Sequence, residues 1–345
     1  MSKNYSIQID VVKGLAIIAV VVLHALPLFF SRIIFSQFHI TQSFAIFFVI
    51  IGITLTSSLG KHSLKHYLKI YFIRRFWRYI PAFFVMFFCS FLYLVYFHIP
   101  YTLSWLNLIG MFPVEGAGNY FISVLFEVII FGPLLYWWYK KSPVGMLVFT
   151  LIASFLFEVV SPHIQMFAHN TFLYKANILR YLFAIGLGLY ASDEYLKNHT
   201  INLKSRKNIF IFFLLPVSIA YLFIGGFILQ PISLFQAEWG TSNFLAYPYT
   251  FFITALLLNI KESIYKKIKV INILVLIGKA SYHIFLFQMI YFGYHLAFTK
   301  RIVTWNNYLT VGPVVVVVDV IISLFLGVLF YYGDKYSRIL IANRT

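Results

Sequence analysis

The sequence is short of charge, and shortest of acid. Only 11% of its 345 residues are Asp, Glu, Lys or Arg, against about 25% in an average soluble domain. A soluble protein of this length cannot cover its surface with so few charges, so a soluble enzyme is excluded. Acidic residues number 10 and basic ones 27, a net charge of +17. Such a balance ordinarily raises nucleic acid as a partner, but 61% apolar residues and 40 Phe exclude that reading. Cysteine is almost absent. The single Cys89 allows neither an internal disulfide nor a thiolate metal cluster. No HExxH or comparable ligand spacing occurs among the histidines and acids, so no metal is expected. Low-complexity linkers are missing too, and no convincing internal repeat is present, which counts against an inverted-repeat transporter.

What the chain does have is long apolar runs, with a mean hydropathy of +0.85. A helix needs about 20 apolar residues to cross a bilayer. Runs of that order recur at 9–30, 38–59, 79–97, 120–139, 143–160, 173–191, 209–228, 244–260, 273–292 and 311–332. They predict an all-α, polytopic transmembrane bundle of about ten spans, one domain over 1–345, in the plasma or inner membrane. The stretch 98–112 is apolar enough to lie along the interface. With the N-terminus in the cytoplasm, twenty basic residues fall inside and only Arg32, Lys175, Lys300 and Arg301 outside. This is a strong positive-inside bias, and it puts both termini in the cytoplasm.

Ionisable residues inside such spans are costly and mark function by default. The first span reads Lys13, ten residues, His24. Eleven steps make three turns plus about 20°, so both side chains share one face, about 16 Å apart along the axis. The pair suits a long anionic ligand that enters from inside and presents its reactive end to the imidazole. The plainer alternative is a snorkelling lysine and an interhelical hydrogen bond from the histidine. Asp10 stands one turn before Lys13, close enough to pair with it.

The basic block Lys61–Pro81 either enforces topology at an anionic lipid surface or binds phosphate. Arg75 and Arg78 stand one turn apart on a helix, with Arg74 on a neighbouring face, and paired guanidinium groups suit phosphate. Glu127, Glu158 and Asp319 are intramembrane carboxylates, with Arg180 and Lys279 as candidate ion-pair partners. Glu127 follows the glycine-rich loop 115–118 and is a candidate to orient or exchange protons with the histidine.

Five stretches, in order, resemble the membrane acyltransferase-3 family. They are Ile9-Asp10-Val11-Val12-Lys13-Gly14 through to His24; Phe47-Phe48-Val49-Ile50-Ile51-Gly52, similar to the family's FFxxSG; Arg74-Arg75-Phe76-Trp77-Arg78 with Pro81; Gly118-Asn119-Tyr120-Phe121 through Glu127 to Pro133; and Gly278-Lys279-Ala280-Ser281-Tyr282 through to Gln288. The sequence departs from the family at Lys13, where arginine is commoner, and at Gln288, where many members have histidine. The resemblance implies a membrane O-acyltransferase that uses cytoplasmic acetyl-CoA as acyl donor and modifies sugars of exported or cell-envelope polysaccharides. On that model His24 is catalytic, Lys13 helps hold the CoA, and Arg75 and Arg78 bind its phosphates; Glu127 as a second catalytic residue and Arg74 as a further CoA-binding one are expected from their positions alone. The competing expectation is a polysaccharide or small-molecule exporter that transfers no acyl group.

Overall fold

The computed structural model describes residues 6–26, 28–59, 64–113, 118–205, 208–227, 243–294, 296–303 and 310–342. Among them there are helices and no strand, as the composition requires. The long helices are α1 (Ile7–Ala25), α2 (Ser43–Leu59), α3 (Leu64–Tyr96), α4 (Phe121–Lys141), α5 (Pro143–Val160), α6 (Leu182–Asn198), α7 (Ile209–Phe227), α8 (Tyr247–Leu258), α9 (Ile271–Gly293) and α10 (Gly312–Ala342). Among the described residues seven helical stretches are long and apolar enough to cross a membrane: Ile7–Ala25, Ser36–Leu59, Leu68–Tyr96, Phe121–Lys141, Pro143–His163, Ile271–Gly293 and Gly312–Leu340. Two shorter apolar helices are Ile209–Ile224 and Tyr247–Leu258.

Outward faces confirm the kind of solvent. On α3 the exposed positions Phe84, Phe88, Leu92 and Val95 recur at helical spacing. On α10 Val314, Val317, Ile321, Phe325 and Leu329 do the same. Apolar stripes of this length on the outside of a bundle fit lipid, not water. The chain is a multi-pass membrane protein.

Between helices, lipid supplies no hydrophobic drive, so association rests on close packing and interhelical hydrogen bonds. Two crossings show it. On α1 and α9, Gly14 lies against the Leu274 carbonyl and Gly278 against the Asp10 carbonyl, so tightly that a Cβ on either glycine would collide with backbone. On α2 and α6, Gly52 meets the Ile185 carbonyl and Gly188 the Val49 carbonyl in the same way. Thr56 and Ser192 share a 2.7 Å hydrogen bond across that second crossing. Helix α6 is buried from Leu182 to Ser192 on every face, which makes it the centre of the bundle.

The window 173–191 overlaps α6 only from Leu182 onward. Before it the chain forms a short helix, Thr171–Lys175, capped by Asn170, and a 3-10 turn, Ile178–Arg180, capped by Asn177. The side-chain caps at Asn170 and Asn177 interrupt the helix that hydropathy alone would continue. Arg180 then pairs with buried Glu158, Nε to Oε1 at 3.5 Å, and its guanidinium lies 4.6 Å from the Tyr174 ring centroid. Asp319 is absorbed locally as well: it accepts from the Tyr291 hydroxyl and from the Phe298 and Thr299 backbone N–H groups. These two carboxylates hold helices together. In the stretch 98–112, a short helix Trp105–Leu108 leaves Leu103, Trp105 and Leu108 outward.

Candidate active site

At one end of the bundle, where α1 begins and α2 and α10 finish, the helices part around a cavity of about 830 Å³. Its volume lies in the upper part of the range of ligand pockets, roughly 300–1,000 Å³. The wall on α2 runs from Ser58 at the mouth to Phe47, eleven residues or about 16 Å of helix. Polar groups crowd the mouth: Thr54, Ser57 and Ser58 from α2, Tyr71 and Tyr79 from α3. The deep end is aromatic, closed by Phe47, Phe121 and Phe285.

Among the described residues six cationic side chains wall this space, Lys13, Arg75, Arg78, Lys279, Lys335 and Arg338, against two carboxylates, Asp10 and Asp334. Of the residues singled out in the sequence, Lys13, Arg75 and Arg78 therefore come together. Lys13 pairs with Asp10 at 2.6 Å, as their one-turn spacing predicted. Arg75 donates to the Tyr79 hydroxyl at 3.1 Å and to Ser58 Oγ at 3.0 Å. Its guanidinium also lies 5.4 Å from the Tyr71 ring centroid. Arg78 sits 5.3 Å from the Tyr79 ring. One turn of α3 thus turns both guanidinium groups to the cavity. Arg74, on the neighbouring face, is exposed and takes no part in the wall.

His24 is in the last turn of α1, half-buried, beyond the deep end. Its Nε2 lies 3.8 Å from the point where a Cβ on Gly118 would stand, and the Phe285 ring tip lies 3.0 Å from the same point. The Glu127 carboxylate accepts the Ile178 backbone N–H, and it does not wall the cavity. Residues 115–117 of the glycine-rich loop lie outside the described residues. Gln288 is wholly buried, and among the described residues neither end of its amide has a hydrogen-bond partner.

Sequence reasoning did not anticipate the opposite wall. His283 Nε2 and Asp334 Oδ2 are 2.8 Å apart, and Arg338 clasps the same carboxylate, Nε to Oδ1 at 3.1 Å, while donating to the Arg78 carbonyl at 3.3 Å. Asp334 and Arg338 lie beyond residue 332, where the apolar run ends, yet α10 continues to Ala342. The signal was available as an acid and a base one turn apart in a chain with ten acids.

A family model described as an acyltransferase domain matches residues 6–332, nearly the whole chain. The protein belongs to the acyltransferase-3 family. No curated protein and no solved structure matches closely enough to add a relative to this assignment. The protein is a membrane acyltransferase, and its match runs from before Lys13 to the end of the α10 apolar run, so every motif quoted above falls inside it. For the acyltransferase the arrangement supplies two chemical zones: a cationic vestibule with hydroxyl groups, and an imidazole at the far end of an aromatic floor.

Proposed function

We propose that this acyltransferase takes an acyl group, acetyl in the simplest case, from cytoplasmic acyl-CoA. It passes the group to a sugar hydroxyl of an exported or cell-envelope polysaccharide at the plasma or inner membrane. The observation that carries this reading is the six-cation cavity at the mouth, with Lys13 on the same face of α1 as His24. A nucleotide with several phosphates needs such a cluster, and guanidinium groups at one-turn spacing match phosphate oxygens. A thioester on a long pantetheine arm needs the distance of about 16 Å between that cluster and the reacting group. The positive-inside bias supports a cytoplasmic mouth. The Glu127 carboxylate accepts the Ile178 backbone N–H, and the proton of the transfer passes through His24.

In the transfer the acceptor oxygen attacks the thioester carbon. The C–O bond forms, the C–S bond breaks, and the hydroxyl proton passes to His24 and from there to the departing thiolate, leaving an ester and free CoA thiol. General-base help of this kind is worth about 10²–10⁴ in rate. The test is mass spectrometry of the native glycan together with thiol release from acetyl-CoA, in the wild type and in His24→Ala. New O-acetyl groups that vanish in the variant are the expected result. Glycan that crosses the membrane with no new ester, or esters that persist without His24, would overturn the proposal.

A further inference from the structure

The cavity stops one aromatic ring short of the imidazole. Phe285 from α9 and Phe121 from α4 form its floor, ring centroids 4.5 Å apart and tilted by 56°. His24 does not wall the cavity, yet its Nε2 and the tip of the Phe285 ring both lie within 4 Å of the same point above Gly118. Phe285 is thus a residue of the cavity wall whose ring also reaches the corner that holds the imidazole. Phe121 is braced from behind by Phe44 and Phe48, centroids 5.2 and 5.8 Å away. Phe285 rests instead on Gly118, whose φ of +86° suits glycine and which offers no side chain to pin the ring. Of the pair, Phe285 is the ring whose tip reaches the corner of Gly118 and His24. Phe292, two turns further along α9, lies 6.3 Å from the His24 ring and bounds the far side.

We propose that Phe285 determines acyl size: its ring closes the cavity against His24 and leaves room only for a short acyl group, of two or three carbons. This deepens the reading of the site as an acyl-CoA-dependent transferase and rests on it. On this proposal a longer chain has to occupy the volume of the ring itself, beside a Phe121 held by Phe44 and Phe48. Discrimination by a filled apolar pocket runs at about 10–200-fold per methylene, so the wild type should prefer acetyl over butanoyl donors by that order.

The first arm compares acetyl-, propionyl- and butanoyl-CoA in the wild type, Phe285→Leu and Phe285→Ala. Phe285→Leu keeps an apolar side chain should Phe285→Ala fold poorly. The acetyl preference is expected to fall about tenfold or more as the ring is trimmed. The second arm needs no catalysis. In a Cys89→Ser background, His24→Cys is labelled with methyl methanethiosulfonate. Phe285→Ala should raise the labelling rate several-fold and Phe285→Trp should lower it. Unchanged labelling in both variants, or unchanged donor preference in variants that fold, would overturn the gate. Absence of transfer from any CoA donor would overturn the proposed function, while the labelling arm would still report on Phe285.

Discussion

Replacing Arg75 with alanine isolates the part of the site that binds phosphate. In the structure Arg75 is fixed from two sides, by hydrogen bonds to Ser58 and Tyr79, with its charge facing the cavity. A guanidinium held this way gives up little conformational freedom on binding, so the interaction with a phosphate is the stronger for it. One charge-assisted contact of that sort contributes about 2 kcal/mol, or roughly 30-fold in affinity. The hydroxyl groups left behind line the cavity, where water can replace the lost donor, so folding should be little affected. The assay is initial rate against donor concentration, with two donors: acetyl-CoA, and acetyl-pantetheine, which has the thioester but none of the phosphates. Arg75→Ala should raise KM for acetyl-CoA about 30-fold with little change in kcat, and leave acetyl-pantetheine kinetics as they were. Arg75→Lys should fall between, because the charge remains and the planar fork is lost. An equal loss with both donors would refute phosphate binding and leave Arg75 as a strut between α2 and α3.

Lys13→Ala leaves the buried Asp10 carboxylate without its 2.6 Å partner; thermal unfolding in detergent should show a loss of about 1–3 kcal/mol. The double change Asp10→Asn with Lys13→Met should recover most of that stability but not transfer activity. Gly278→Ala forces α9 away from the Asp10 carbonyl, at a cost of about 1–3 kcal/mol, and should impair transfer because α1 carries both Lys13 and His24. Gly333→Ala is the matched control, since a Cβ there meets nothing within 4 Å. Glu158→Gln should lower stability by about 3–5 kcal/mol by removing the carboxylate paired with buried Arg180, with donor KM unchanged, as neither residue walls the cavity.

The glycines of the family-like motifs show where reading the chain falls short of seeing it folded. Gly14, Gly52 and Gly278 stand beside polar or aromatic residues that look like chemistry, yet each is a point of backbone contact between helices. A linear motif mixes the two roles because both are needed at the same height in the bundle. Glu127 illustrates the opposite case. Its position after a glycine-rich loop marks it in the sequence, but which neighbours a mid-helix side chain meets depends on the fold, and here its carboxylate accepts the Ile178 N–H.

By itself the sequence determined the solvent and the local geometry. Scarce charge and recurrent apolar runs require helices in lipid, because only helices and closed barrels satisfy the backbone there. The 3.6-residue period places Lys13 with His24, and Arg75 with Arg78, on shared faces. Only the tertiary structure decided which faces meet. Lys279, Lys335 and Arg338 join Lys13 and the α3 arginines around one cavity although some 200 residues or more separate them along the chain, and no local pattern encodes such a meeting. Packing also brought a phenylalanine of the cavity wall to the corner that holds the histidine. That choice is made by volume and close contact between distant helices, and these exist only once the chain is folded.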